Sequence, residues 1–229
     1  MLVLGLDTAT PYCGVAIADD RKILGENGLE LGKRHQEQLV PLVQRLMGDL
    51  SLTWASLDGV AISAGPGSFT GLRVGLGVAK GFCFATGAAL LLIPTLDAFA
   101  TYFPFVRYPV CPMLDARKGE VYAGLYDTST GAPVHLSAPL VLPPENMLRQ
   151  LQGPTLLFGT GAVVYREMVL QRLGEEALFP PYGMVWHCAD AVALLGVERL
   201  RRGERDDLAT AEPFYLRKSE AEVKQKVRL

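Results

Sequence analysis

Apolar and polar positions alternate in short blocks near the start of the chain. Leu2 to Asp7 is an apolar run closed by an acid, Val15 to Ala18 is a second, and Lys22 to Glu30 has the composition of a third strand. Turn residues at Pro11 to Gly14 and at Asp19-Asp20 separate them, so the pattern predicts an antiparallel meander. After the polar joint Gly32-Lys33-Arg34 the period changes. Leu39, Leu42, Val43 and Leu46 fall at i, i+3, i+4 and i+7, the spacing of one helix face. Pro41 has no N–H to give the preceding turn, so it is expected to kink this helix or lie in its first turn. Thr53 is placed to cap a short turn over Trp54 to Leu57.

The most informative stretch is Val60 to Lys80, VAISAGPGSFTGLRVGLGVAK. An apolar strand enters Gly65-Pro66-Gly67-Ser68 and leaves as a nearly uncharged helix. Such a turn lets backbone approach backbone and aims free helix N–H groups at whatever lies above it. Two readings compete, a phosphate cradle and a close-packing element. The helix carries small residues in two rows, Gly71, Gly75 and Ala79, and Gly77, Gly81 and Ala85. Residues four apart share a helix face, so something is expected to pack very close: this chain's own sheet, a helix of another chain, or both on different faces. Ala88 to Ile93 reads as a buried strand and Leu96 to Tyr102 as a helix. Phe103 to Pro109, with its prolines and aromatics, is the expected boundary between a first half at 1–107 and a second at 108–229.

The second half repeats the first. Val110 to Asp115 ends in Leu114-Asp115 as the first strand ends in Leu6-Asp7, and Val121 to Tyr126 and Val134 to Leu142 complete a second meander. Pro143 to Leu151 reads as helical. Thr155 to Phe158 then runs into Gly159-Thr160-Gly161 and a helix expected over Ala162 to Leu173. A helix over Asp190 to Arg201, an extended Pro213 to Arg217 and a loose charged terminus close the chain. Two like units face to face would leave a cleft lined by both aspartates and both glycine turns.

Composition narrows the function. The chain has 229 residues, 49% of them hydrophobic and 20% charged, and a net charge of −2, which argues against a stand-alone nucleic-acid binder. Cys13, Cys83, Cys111 and Cys188 lie far apart, fitting reduced, buried thiols in a cytosol. The opening MLVLGLDTAT lacks a basic leader and reads as a strand, so a cytoplasmic location is expected. Gly71 to Ile93 is long and apolar, but Arg73, Lys80 and its glycines argue against a membrane span.

Catalytic signatures are weak. Gly65 to Lys80 fits neither a P-loop nor a dinucleotide fingerprint, and Ser68 does not sit in a Gly-x-Ser-x-Gly elbow. His35, His135 and His187 are scattered, and His187-Cys188-Ala189-Asp190 is too sparse to hold a metal, so no metal site and no catalytic residue are assigned. Asp7 and Asp115 could orient a metal-bound phosphate, serve as a base, or cap their own turns; the pattern leaves these open.

The run AGPGSFTGLRVGLGVAKG at Ala64 to Gly81 resembles the signature of the TsaB (YeaZ) family. The likeness extends to LDTAT at Leu6 to Thr10, to His35 and Leu39, to LDARKGEVYAGLY at Leu114 to Tyr126, and to EPFYLR at Glu212 to Arg217. Gln36 departs from it, where a serine is expected after the histidine. The resemblance implies an α/β fold, the duplicated ribonuclease-H-like architecture of the actin/sugar-kinase/Hsp70 (ASKHA) group. It implies a non-catalytic subunit of the machinery that makes N6-threonylcarbamoyladenosine beside the anticodon of tRNAs reading A-starting codons. The implied partners are a TsaD-type transferase, which carries a His-x3-His motif lacking here, a TsaE-type ATPase, a second copy of the chain in isolation, and tRNA only as substrate of the complex. No cofactor is expected, beyond weak ATP or ADP binding in the cleft.

The interface is expected on Leu39, Leu42, Val43, Leu46, Gly71, Val74, Gly75, Val78, Ala79 and Phe82, with a bulky residue at Gly75 or Ala79 breaking the heterodimer. A nucleotide cleft would use Asp7, Thr8, Gly65, Gly67, Ser68, Asp115, Gly159 and Gly161. The rival is an ATP-dependent small-molecule kinase of the same superfold, supported by Asp7, Asp115 and the glycine turns. A weaker third reading is an endopeptidase, against which the missing nucleophile and metal ligands count.

Overall fold

The computed structural model of the chain describes residues 1–30, 32, 34–181 and 187–217. The charged terminus expected to be loose lies outside the described residues, as does Lys33 of the polar joint.

Among the described residues, ten strands make two sheets of identical plan. In the first, β1 (Val3–Asp7), β2 (Tyr12–Ala18) and β3 (Ile23–Glu30) form the meander, and β4 (Gly59–Gly65) and β5 (Ala89–Pro94) add in parallel beside β1, in the order β3-β2-β1-β4-β5. In the second, β6 (Val110–Asp115), β7 (Val121–Asp127), β8 (Val134–Leu142), β9 (Thr155–Phe158) and β10 (Ala177–Leu178) take the order β10-β9-β6-β7-β8, the same sequence of neighbours read from the other edge. The parallel pairs follow helical crossovers: α1 (His35–Asp49) precedes β4, and α2 (Phe69–Thr86) joins β4 to β5. α3 (Thr95–Ala100) leads out of the first sheet. α4 (Pro144–Leu148), α5 (Thr160–Val164) and α6 (Arg166–Leu173) serve the second, and α7 (Ala189–Arg201) follows β10.

Period-two alternation sends neighbouring residues of β1 to opposite faces. Leu4 and Leu6 join Val60 and Ile62 against Leu39, Leu42, Val43 and Leu46 of α1 and Leu76 and Ala79 of α2. Val3 joins Ala61, Leu91 and Ile93 against α7 and α3, in a core that also takes Val110, Tyr126, Leu156 and Phe158 from the second sheet. The two halves therefore share one core. The far face of the second sheet is covered by Met147, Leu148, Ala162 and Val169.

Several local expectations change. β2 begins at Tyr12, because Gly14 is already paired with Asp7, so the turn falls before it. Pro41 lies inside α1, beyond its first turn, on an exposed position. Thr53 precedes a 3-10 turn at Trp54–Ser56 without a side-chain cap. The helix expected over Ala162 to Leu173 breaks at Tyr165 (φ −104°, ψ 18°) into α5 and α6. The apolar stretch from Gly71 to Ile93 divides into α2 and β5. Among the described residues no helix is long and apolar enough to cross a membrane.

The largest change concerns α7, which the sequence reading assigns to the second half. It packs on the first sheet, where a Cβ on Gly5 would overlap the Ala189 carbonyl and a Cβ on Gly196 would sit 2.6 Å from that of Ala61. With no side chain at either place, helix backbone rests almost directly on strand backbone.

Candidate functional site

Ser68 ends the first glycine turn and caps α2, its hydroxyl accepting from the Gly71 N–H at 3.3 Å. Three backbone donors at this helix start, Ser68, Gly71 and Leu72, have partners within the chain. Ser68 N–H donates to the Ala9 carbonyl at 2.8 Å and Leu72 N–H to the Ser68 carbonyl. A Cβ on Gly67 would lie 2.6 Å from the Ala9 carbonyl oxygen, and one on Gly71 would overlap the Thr8 carbonyl. The turn grips the β1–β2 connection, with Thr8 donating its buried hydroxyl to the Gly71 carbonyl at 2.8 Å. Gly65, at φ +120°, faces the carbonyl of Phe214. The second glycine turn behaves alike: Gly159 and Gly161 press on the backbone of Met113 and Leu114. Both turns are sites of close backbone packing.

Asp7 is fully buried and its carboxylate is fully engaged. Oδ1 accepts from Ala9 N–H at 2.9 Å and from the Ser63 hydroxyl at 2.6 Å, and Oδ2 accepts from Cys188 N–H at 3.0 Å. It caps its own turn and ties α7 to β1. The His187-Cys188-Ala189-Asp190 run completes the tie, since Tyr102 donates its hydroxyl to the Asp190 carboxylate at 2.5 Å, with the His187 carbonyl 2.8 Å from the same oxygen. Burial and the carboxylates of Asp190 and Asp7 hold the Tyr102 hydroxyl far above the ordinary phenol range. Among the described residues no three His, Cys, Asp or Glu side chains converge as a metal would need. Asp115 also caps its turn, accepting from Arg117 N–H at 2.9 Å and pairing with the Arg117 guanidinium at 3.2 Å.

A cleft of about 820 Å³ opens between the halves. Gly67, Ser68 and Asp115 line it, while Asp7, Thr8, Gly65, Gly159 and Gly161 do not. The two aspartates are thus not brought together on its wall. Instead Arg73, Arg117, Lys118 and Arg217 face it with Phe69, Tyr122 and Tyr215. Its C-terminal wall, Phe214 to Arg217, has only one advance sign in the sequence, the EPFYLR likeness.

The outer face of α2 is different in kind. Leu39, Leu42, Val43, Leu46, Gly71, Gly75 and Ala79 are all buried within the chain, against its own sheet and Thr8. The expectation that a partner touches them is corrected: a Cβ on Gly75 already meets Thr8 Oγ1 and lies 2.8 Å from Ile62 Cδ1. Val74, Val78 and Phe82 are half-buried. The second row is open, with nothing within 4 Å of a Cβ on Gly77 or Gly81, and Ala85 is exposed. Phe84 stands beside it at 84% exposure. Phe84 is not among the residues expected at the interface, although a lone aromatic flanking a glycine row is a legible sign of a contact face.

A family model described as TsaD, tRNA N6-adenosine threonylcarbamoyltransferase, matches residues 29–225. Over nearly the whole length the chain is also similar to the tRNA threonylcarbamoyladenosine biosynthesis protein TsaB of Haemophilus influenzae, 30% identical over 95% of this chain and 94% of that one. The chain belongs to the TsaB (YeaZ) family. The solved structure of YeaZ from Pseudomonas aeruginosa superposes with a TM-score of 0.80 at 29% identity, over 94% of this chain and 99% of that chain. A ROK hexokinase from Thermus thermophilus superposes with a TM-score of 0.50 at 12% identity, over 89% and 100% of the two chains. That last likeness concerns the fold alone, the duplicated ribonuclease-H-like architecture. As a TsaB-family chain it shares a family model with the transferase while holding its three histidines apart at positions 35, 135 and 187.

Proposed function

We propose that this TsaB-family chain works in the formation of N6-threonylcarbamoyladenosine on tRNA as a non-catalytic subunit that supports a TsaD-type transferase. The observation that carries the reading is the outer face of α2. Phe84, 84% exposed, projects beside an open groove at Gly77 and Gly81, bordered by half-buried Val74, Val78 and Phe82. A knob next to a hole on a helix with hardly any charge suits a second helix at short range. The occupant is the transferase subunit or, in isolation, a second copy of the chain. A TsaE-type ATPase joins the assembly, and tRNA enters as substrate of the complex. The work is done in the cytoplasm, where the four buried thiols stay reduced.

The kinase reading has less support. Asp7 is occupied by three internal hydrogen bonds, and the N–H groups of Ser68, Gly71 and Leu72 at the start of α2 are met from within the chain. The test is Phe84→Asp. The purified variant should stay folded, fail to co-elute with the TsaD-type subunit of the same cell, and leave total tRNA depleted of the modified nucleoside when it replaces the normal chain. Full-strength co-elution would refute the assigned face. Unchanged nucleoside after deletion of the whole gene would refute the function.

A further inference from the structure

After α7 the chain returns along the outer edge of the first sheet. Asp206 donates its N–H to the Leu90 carbonyl at 2.9 Å, and its carboxylate accepts from Leu92 N–H at 2.7 Å. Arg199 locks the arrangement by donating to Asp206 at 2.9 Å and to the Leu92 carbonyl at 2.7 Å. This covers the backbone edge of β5, which no strand of the sheet pairs. Ala211 is then buried in the core beneath α2, and the chain turns out toward the cleft.

From there the segment has three footings. Phe214 N–H donates to the Ala64 carbonyl at 2.7 Å, and its own carbonyl lies where a side chain on Gly65 would be. Tyr215 accepts from Arg73 Nε at 3.0 Å and stacks on Phe69 with ring centres 5.1 Å apart; the same guanidinium sits 4.1 Å from the Phe69 ring centre. Arg217 donates to the Ala116 carbonyl at 2.9 Å and pairs with Glu120. The first two footings belong to β4 and α2. The third belongs to the hairpin between β6 and β7, in the other half.

We infer that Pro213–Arg217 is a latch across the mouth of the cleft, which walls it on one side and holds the two halves at a fixed opening. The halves meet at the base of the cleft through their common core. Rotation about that base separates the Ala64–Gly65 turn from the β6–β7 hairpin, and the latch joins those two points. A planar guanidinium forked between a carbonyl and a carboxylate resists this displacement by direction as well as by charge. The need for a glycine at position 65 follows, since any side chain there would lift Phe214 from its seat. So does the pairing of Arg73 with Tyr215, which clamps the middle of the latch to the first turns of α2.

The test uses the full chain and the variants R217A and R217K. Exchange of the Phe214 amide with deuterium reports whether the latch is seated, and the Leu4 amide in β1 reports the integrity of the fold. With R217A the Phe214 amide should exchange about tenfold faster while Leu4 is unchanged, and R217K, which keeps the charge opposite Glu120, should fall between. Spin labels on R45C in α1 and R172C in α6 read the opening directly, since all four native cysteines are buried. Their distance distribution should be narrow in the parent and broad with R217A. An unprotected Phe214 amide in the parent, or a distribution that R217A leaves narrow, would overturn the inference.

Discussion

Alanine at Gly75 and alanine at Gly77, two residues apart on α2, should move stability in opposite directions. At Gly75 the new methyl meets the Thr8 hydroxyl and lies 2.8 Å from Ile62 Cδ1. Neither neighbour can yield easily: Thr8 and Ile62 are fully buried, and the Thr8 hydroxyl is held by the Gly71 carbonyl at 2.8 Å. Overpacking costs about 1–3 kcal/mol, and a buried hydroxyl pushed off its acceptor costs about 1–3 kcal/mol more. The better helix propensity of alanine returns about 1 kcal/mol. The net loss is roughly 1–5 kcal/mol, a fall of about 2–20 °C in melting temperature for a chain of this size. At Gly77 nothing lies within 4 Å, so only the propensity gain of about 1 kcal/mol remains. That corresponds to a rise of about 2–4 °C. The assay is thermal and urea unfolding of the dilute purified chain, so that self-association does not enter. A Gly75→Ala variant as stable as the parent would refute the inward placement of that row. A destabilised Gly77→Ala monomer would refute the open placement of the other.

The same geometry predicts that Gly77→Leu or Gly81→Leu leaves the monomer folded and weakens its association with itself and with the transferase subunit at least tenfold, read by analytical ultracentrifugation. A bulky residue at Gly75 would disturb the monomer first and is no clean probe of the interface. Asp7→Ala strands the buried N–H groups of Ala9 and Cys188 and the Ser63 hydroxyl, and should cost about 3 kcal/mol or more in urea unfolding; a loss of function without that loss of stability would point instead to a chemical role. Burial pushes the thiols of Cys13 and Cys111 up to about 12 and that of Cys83 up to about 11, from an ordinary 9.0. Their folded values lie above the unfolded one, so the stabilisation is complete below about pH 9 and is lost as pH rises toward the folded values. Urea midpoints should fall across that window, and Cys111→Ala should flatten the fall. In the native protein at about pH 8 the same thiols should resist a thiol reagent.

The order of elements was legible in the sequence because each was signalled locally. Leu6-Asp7 and Leu114-Asp115 ended corresponding strands, the hairpins followed, and Gly65-x-Gly67 and Gly159-x-Gly161 marked corresponding turns. Two meanders each followed by a strand, a glycine turn and a helix left little choice of topology, and the matching strand order of the two halves followed from that repetition. Even the need for close packing at α2 was visible, since rows of glycine serve little else in a helix interior.

What stayed open depended on neighbours distant along the chain. Glycine has no side chain to mark a face as inner or outer, so the rows at Gly71-Gly75 and Gly77-Gly81 were equivalent until Thr8 and Ile62 arrived against one of them. Asp7 could be base, phosphate holder or turn cap until Ser63 and Cys188 took up its oxygens. The apolar face of α7 announced burial without naming its sheet, and the absence of side chains at Gly5 and Gly196 drew it to the first. Local periodicity thus determined which elements exist and in what order. Contacts between residues far apart in sequence decided which surface the chain buries for itself and which it leaves open.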